Sequence, residues 1–196
     1  MKTLITFLII FFYTSIKANS INVIRDAEIE NLLNDISKIL VRGTQLENDI
    51  LTFYLDNQKF INALVTPDKK FFFTTELLLK SKKVEDVAGV ISHEIGHVLG
   101  GHFQKRQKKM EKNSVINILS SILAVGAIAG GAYNAGTAIL MGGQHLGTSR
   151  MLAFSRSQES LADQTAIRLL KKNGKKFCYK YFIFYSRSWS DSWWCL

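Results

Sequence analysis

The sequence predicts an α+β fold that is mainly helical and carries a small sheet. Two observations support this class. Apolar residues recur at helical spacing in three segments, near residues 29–40, 84–110 and 157–172. Short runs of aromatic and β-branched residues, typical of strands, lie between the first two segments. The chain has 196 residues, of which 47% are hydrophobic, enough for one domain with a packed core.

Residues 1–18 are predicted to form an export signal. Lys2 supplies the positive start, residues 4–13 form a nearly unbroken apolar run, and cleavage is expected after Ala18. The apolar run is shorter than the roughly 20 residues that span a bilayer, which favours a cleaved signal over an uncleaved anchor. The protein is therefore expected to be exported and its folded domain to begin near residue 19.

The first helix and the sheet come next. Residues 51–55 and 60–65 predict short strands, the turn at residues 66–69 holds Pro67 where its fixed φ fits, and residues 70–74 return as a strand. The helix before them is expected to bury one apolar stripe made of Ile29, Leu32, Leu33, Ile36, Ile39 and Leu40.

Three helical segments are predicted after the sheet. A short helix covers residues 76–80, a long one runs from Val84 to Met110, and the last covers Ser157 to Lys172, with Gly174 as its stop. Between the last two, Ser114–Met141 carries no charge. This stretch is long enough to span a membrane, but its Gly and Asn residues also fit two short helices that pack beside the site or touch a membrane surface.

The net charge of +9 belongs mostly to the two ends of the chain. Residues 1–18 contribute +2, and residues 171–196 contribute six Lys or Arg and one Asp. Nucleic-acid binding needs clustered positive charge, so no nucleic-acid partner is expected. Cys178 and Cys195 both lie near the C-terminus, where they can pair in an oxidising compartment but cannot staple the core.

The segment His93-Glu94-Ile95-Gly96-His97 matches the H-E-x-x-H pattern. Two histidines four residues apart share a helix face, so both imidazoles can reach one metal ion. Glu94 is offset by one residue, where its carboxylate can take a proton from a bound water and return it to a leaving amine. The pattern fixes only three residues and also occurs by chance. A zinc site also needs a third protein ligand, which another part of the chain has to supply.

Glu159 and Asp163 on the last predicted helix supply what the histidine pair lacks. They are also four residues apart, so they share a face. Glu159 can ligate, and Asp163 can accept the second N–H of a ligating histidine and fix its tautomer. Taken alone the two acids fit a solvated surface pair; taken with the histidines they predict a catalytic site for one Zn²⁺ per chain. The sequence therefore predicts a zinc metallopeptidase.

With these residues in view, the sequence resembles the HtpX/BepA-like zinc metallopeptidases, a family that includes the CAAX prenyl proteases. The resemblance implies a gluzincin-like core in which His93, His97 and Glu159 hold zinc and Glu94 is the general base. It also implies that the hairpin around Pro67 forms the cleft edge, where an extended substrate adds as a strand. The matching segments are residues 61–63, 66–67, 73–78, 87–97 and 155–163, within about residues 24–174.

Together with the export signal, the resemblance implies the periplasmic branch of the family. Its substrates would be misfolded or misassembled envelope or outer-membrane proteins. The chain departs from the family at Asp68-Lys69, where Gly-Gly is usual, and no histidine follows Asp163. The domain is expected to cover residues 19–174, and residues 175–196 to be an atypical basic and aromatic tail, either native or frame-shifted. These departures leave open a non-catalytic relative that binds zinc and polypeptide without turnover.

Three further residues are candidates near the site. His102 is expected on the opposite side of the helix from His93, as a structural histidine rather than a ligand. His145 lies among glycines in an expected mobile loop, where it either closes over the site and donates to an oxyanion or is simply exposed. Arg156, one turn before Glu159, either supplies that charge or neutralises the neighbouring carboxylates.

Overall fold

The computed structural model describes the backbone of residues 22–185 and the side chains of residues 22–173. The predicted export signal, the end of the tail and Cys195 lie outside the described residues, as does the side chain of Cys178. A pairing of the two cysteines therefore lies outside the described residues. Within the described part the fold is α+β and mainly helical, as expected.

The sheet has four strands, β1 (Val23–Ile24), β2 (Thr52–Asp56), β3 (Ala63–Val65) and β4 (Lys70–Thr74). Their order is β1-β2-β4-β3, so that β3 lies at an edge. Strands β2 and β4 are parallel, and the outer pairs are antiparallel. The turn around Pro67 is confirmed: Lys69 adopts a φ of 63° in the left-handed region, and Thr66 N–H donates to Lys70 O at 2.9 Å.

One face of the sheet forms the floor of the core. Because side chains alternate along a strand, Phe71 and Phe73 point to the same face and both are fully buried. Phe53 on the neighbouring strand stacks on Phe71 with 5.0 Å between ring centroids. Helix α1 (Ala27–Leu40) and helix α3 (Val84–Leu99) cover this face. The core therefore lies between the sheet and the helices.

Helix α1 begins at Asp26, whose carboxylate accepts from the backbone N–H groups of Glu28 and Ile29. Four residues of the predicted stripe are buried, and Ile29 packs against them. Leu32 was wrongly assigned to the core: it lies at the edge of the stripe and is 42% exposed. The four buried residues are Leu33, Ile36, Ile39 and Leu40.

The predicted helix from Val84 to Met110 is two helices. The chain breaks at Gly100–Gly101, where Gly101 adopts a φ of 59°, a left-handed conformation that glycine reaches without a steric penalty. Helix α3 ends at Leu99 and helix α4 (His102–Ala129) starts in a new direction. The short helix before them, α2 (Thr75–Lys80), agrees with the sequence.

The last helix is much longer than predicted. Helix α5 runs from Tyr133 to Tyr185, so neither the serines near residue 157 nor Gly174 marks an end. Its first half packs against α4 and its second half against α3 and α1. Packing on two partners offsets the low helix propensity of its glycines.

Residues 114–141 belong to an antiparallel hairpin formed by α4 and the first half of α5. The turn between the arms is at Gly130–Ala132. Among the described helices, α4 alone is long and apolar enough to cross a membrane. Only 6% of its most apolar 18-residue stretch is buried inside the protein. The two short helices expected here are therefore two long ones, and they extend away from the core.

Replacing Phe71 by Ala should lower the free energy of unfolding by about 3–5 kcal/mol, because the change leaves a cavity under Phe53. Leu79→Ala, at a side chain that is 80% exposed, should change it by less than about 0.5 kcal/mol. Urea denaturation of the two variants measures both effects. Similar losses in both would contradict the proposed position of the core.

Candidate metal centre

Helix α3, which carries the H-E-x-x-H segment, is held in position by its packing on the core. Ile91 and Ile95 are fully buried in the core, which sets the rotation of the helix about its axis. Asp86 in its first turn accepts from the backbone N–H groups of Lys82 and Lys83. With these restraints, His93 and His97 stay half-buried on the side of α3 that meets α5.

Helix α5 approaches α3 at the glycine inside the motif. A Cβ atom placed on Gly96 would lie 2.8 Å from the carbonyl oxygen of Ala162, closer than side chains tolerate. Only a glycine therefore permits this separation of the two helices. Glu159 and Asp163 flank Ala162 on α5, so the same contact brings both carboxylates over the histidines.

Three donor atoms form a small triangle. The Nε2 atoms of His93 and His97 are 3.1 Å apart, and Glu159 Oε2 lies 3.3 Å from the first and 3.5 Å from the second. Four ligands arranged tetrahedrally at about 2.0–2.1 Å from zinc are separated by about 3.3 Å. His93, His97 and Glu159 therefore have the size of one face of a zinc tetrahedron and could hold a metal ion. The fourth position has no protein donor in this group.

Asp163 lies behind His93 rather than in the triangle. Its Oδ1 is 2.8 Å from His93 Nδ1, as expected for a carboxylate that accepts the second ring N–H. This contact fixes the tautomer of His93 with Nε2 free for a metal. The structure thus places Asp163 behind one of the two histidines predicted as ligands.

His102 occupies the equivalent place behind His97. Its Nδ1 lies 3.0 Å from His97 Nδ1, and its side chain is buried. The sequence placed His102 on the far side of the same helix; this was wrong because the break at Gly101 turns it back toward the site. Burial lowers the pKa of His102, and the neighbouring His97 lowers it further. A neutral His102 can accept the Nδ1–H of His97 and so leave His97 Nε2 free as a ligand.

Glu94 is half-buried beside the triangle. Burial raises the pKa of its carboxyl group, His93 opposes this shift, and the charge of Glu159 adds to it. The backbone of Val65, in the edge strand β3, hydrogen-bonds to Glu94 and favours its ionised form. Glu94 therefore sits between the metal triangle and the edge of the sheet.

The free edge of β3 faces this carboxylate. In an antiparallel pair, alternate residues point their N–H and C=O groups toward the partner strand. Thr66 and Asn62 bond to β4, through Thr66 N to Lys70 O and Thr74 N to Asn62 O. The intervening residues Ala63 and Val65 therefore direct their backbone groups away from β4. The N–H of Val65 is directed at Glu94, so the backbone groups of Ala63 and the carbonyl oxygen of Val65 remain to pair with an added strand.

Two other predicted residues do not join the site. His145 lies in helix α5 and is exposed, so the mobile loop expected around it does not exist. It is 14 residues from Glu159, or about 21 Å along the helix axis. Arg156 is exposed one turn before Glu159, and no ion pair joins it to Glu159 or Asp163 in the described structure.

Comparison with known proteins identifies the family of this chain. The model of peptidase family M48 matches residues 24–186, which is most of the chain. The chain belongs to peptidase family M48. The match continues past Gly174, where the resemblance read from the sequence ends. Membership in this family supports a metallopeptidase, and the resemblance to HtpX/BepA-like proteins is confirmed.

Several curated relatives share a name. The chain is 23% identical over 163 residues to the beta-barrel assembly-enhancing protease of Escherichia coli O157:H7 and 25% identical over 166 residues to that of Yersinia pestis. It is 26% identical over 168 residues to a putative protein of this name from Vibrio cholerae. Each match covers 83% of this chain and 33% of the relative. The chain thus spans about a third of the length of these relatives.

In the metal-free protein, His97 should lose its proton below the usual histidine pKa of 6.5. Burial lowers the pKa of His97, and the negative charge of Glu159 acts in the opposite direction. Glu159→Gln should therefore lower this pKa further, because it removes a charge that stabilises the imidazolium. Titration of the His97 ring by NMR measures both values. A rise of the midpoint in Glu159→Gln would contradict the contact.

Gly96→Ala should weaken zinc binding by at least about 10-fold, because the new methyl group pushes α5, and Glu159 with it, away from the histidines. Gly89→Ala on the same helix is the matched control, since nothing lies within 4 Å of a Cβ there. Its zinc affinity should equal that of the original chain. Competition with a chelating dye measures both affinities, and equal affinities for the two variants would contradict the role of the close contact.

Proposed function

We propose that this chain is a zinc-dependent endopeptidase of the cell envelope that hydrolyses misfolded or misassembled proteins. The observation that carries the proposal is the zinc-sized triangle of His93, His97 and Glu159 with Glu94 at its side. The predicted export signal supports an envelope location. The name that the relatives share, beta-barrel assembly-enhancing protease, supports substrates among outer-membrane proteins.

In this proposal His93, His97 and Glu159 hold the metal. When bound there, zinc would polarise the scissile carbonyl and lower the pKa of its water. Asp163 and His102 act through the two histidines, because each contacts the Nδ1 atom of one ring. They keep both Nε2 atoms directed at the metal without touching it.

Glu94 is the proposed general base. It takes a proton from the attacking water and returns it to the leaving amine as the peptide bond breaks. Its burial suits this task, because a carboxylate with a raised pKa binds the transferred proton more readily than an exposed one. The hydrogen bond from Val65 fixes the carboxylate at the same time.

The edge of β3 is the proposed docking place for substrate. An extended polypeptide can pair with the backbone groups of Ala63 and with the carbonyl oxygen of Val65, which the bond to Glu94 leaves free. Since Val65 also contacts Glu94, a peptide paired there passes next to the base. Backbone pairing does not select side chains, and an unfolded protein exposes the most extended backbone. This mode of binding therefore fits substrates that have failed to fold.

Glu94→Gln should reduce the hydrolysis of casein by at least about 100-fold, because the amide cannot accept a proton from water. Zinc content should remain that of the original chain, since Glu94 is not in the ligand triangle. The matched control is Glu85→Gln, which changes an exposed acid in the first turn of the same helix and should leave hydrolysis unchanged.

Cleavage of labelled casein and zinc content are measured on the same preparations. Full hydrolysis by Glu94→Gln would refute Glu94 as the base. An original chain that binds zinc and polypeptide without any hydrolysis would favour the non-catalytic alternative instead.

A further inference from the structure

The hairpin of α4 and α5 exposes an unusual amount of apolar surface. Of the 24 exposed large apolar side chains in the described structure, twelve lie between Val115 and Leu146. No Asp, Glu, Lys or Arg occurs from residue 113 to residue 149. A solvated surface of this size without one charge is not expected in a soluble protein. We name residues 113–149 the apolar hairpin.

The fully buried positions of the apolar hairpin are all occupied by small residues. Its buried positions are Ala124, Gly136, Gly143 and Gly147. A Cβ on Gly136 would lie 2.6 Å from the backbone oxygen of Ala124, so the two helices approach each other at backbone contact. Large side chains thus point outward and small ones inward, the reverse of a water-soluble helix pair. Helices that pack within lipid show this arrangement.

Several polar side chains in the hairpin are satisfied within it. The hydroxyl groups of Ser120 and Ser121 donate to carbonyl oxygens one turn earlier, and Thr137 and Thr148 do the same. Asn113 donates to Gly147 O across the two arms. Such internal bonds reduce the cost of placing these groups in a medium without water.

Positive charge surrounds the base of the hairpin. Five of the eight residues at positions 105–112 are Lys or Arg, and Arg150 and Arg156 lie at the same level on α5. The level is fixed by Lys109, whose Nζ lies 5.9 Å from the ring centroid of Phe154. We call this group the basic collar; it consists of Lys105, Arg106, Lys108, Lys109, Lys112, Arg150 and Arg156.

We propose that the apolar hairpin inserts into an anionic phospholipid bilayer from one side, with the basic collar among the headgroups. Lys and Arg at the edge of an apolar segment attract anionic lipid headgroups. Each uncharged arm is about 25 Å long, shorter than the hydrocarbon core of about 30 Å. The tip at Gly130–Ala132 therefore stays within the bilayer, and the hairpin anchors the chain without crossing the membrane.

A lipid environment fits better than a second protein. Between Val115 and Ile128 the exposed apolar side chains of α4 cover an arc of roughly 240° around the helix. A protein partner would cover one face, whereas lipid covers every side that α5 leaves open. The collar would also have no function at an uncharged protein interface. A second copy of the chain is thus the less favoured occupant.

The insertion sets the height of the metal centre. Glu159 is nine residues beyond Arg150, or about 14 Å along α5. The triangle would therefore lie just above the headgroups. If the proposed peptidase activity holds, polypeptide segments close to the membrane are its accessible substrates, but insertion itself does not depend on that activity.

Hydrogen–deuterium exchange on the full chain tests insertion and locates it. Vesicles of phosphatidylglycerol and phosphatidylcholine in equal parts should slow exchange at residues 113–149 by at least about 10-fold and leave α1 and the sheet unchanged. Pure phosphatidylcholine should protect the hairpin less, and added salt should weaken the difference. The readout is specific to the hairpin, so vesicle binding through another part of the chain does not imitate it.

Ile122→Asp combined with Val125→Asp should abolish this protection, because both side chains point outward and a carboxylate inside a bilayer is costly. Leu79→Asp, at an even more exposed apolar residue outside the hairpin, should keep it. An unchanged exchange rate at residues 113–149 with anionic vesicles would overturn the proposal. So would protection that appears without vesicles and grows with protein concentration, since it would indicate a second copy of the chain.

Discussion

The contact between Gly96 and Ala162 is the constraint on which the metal centre depends. It joins the helix that carries the histidines to the helix that carries the carboxylates, at a distance only glycine permits. The three residues of the triangle and Asp163 all lie within one helical turn of this contact. The core fixes α3 through Ile91 and Ile95, and Leu169 anchors the far end of α5 in the same core. The site is therefore held by two elements packed on one support.

Each of the two histidines in the triangle is supported by a side chain from another helix. His93 is held by Asp163 from α5, and His97 is held by His102 from α4. These supports come from different helices. The orientation of the His93 ring therefore depends on the packing of α5, and that of the His97 ring on the packing of α4. The turn at Gly100–Gly101 matters for this reason: without it, His102 would continue along α3 and point away from His97.

Local patterns in the sequence predicted what depends on local spacing. The i, i+4 pairs at residues 93–97 and 159–163, the turn at Pro67 and most of the α1 stripe follow from rules that act within one element. The ends of the helices could not be predicted from such local rules, because Gly101 and Gly174 look alike in sequence but behave differently. Gly101 ends a helix, while Gly174 lies inside one whose preceding residues pack against α1, with Asn173 donating to Leu40 O. Tertiary packing decided the outcome in each case. The same holds for His145, whose glycine neighbours predicted a loop but instead allow close contact with α4.

Helix α5 links the two parts of the molecule. Its first half forms the apolar hairpin, and its second half carries Glu159 and packs on the core. An element shared in this way would place the metal centre at a fixed height above any surface that the hairpin enters. The edge of β3 would then present substrate backbone at that height.

The central claim is that His93, His97 and Glu159 hold the metal. Zinc K-edge X-ray absorption on the zinc-loaded full chain tests it most directly. The account predicts two imidazole ligands together with oxygen ligands, all at about 2.0–2.2 Å from zinc. A third imidazole, which would make His102 a ligand rather than a support, would contradict it. A zinc–sulfur distance of about 2.3 Å would contradict it as well, because it would place a cysteine in the site.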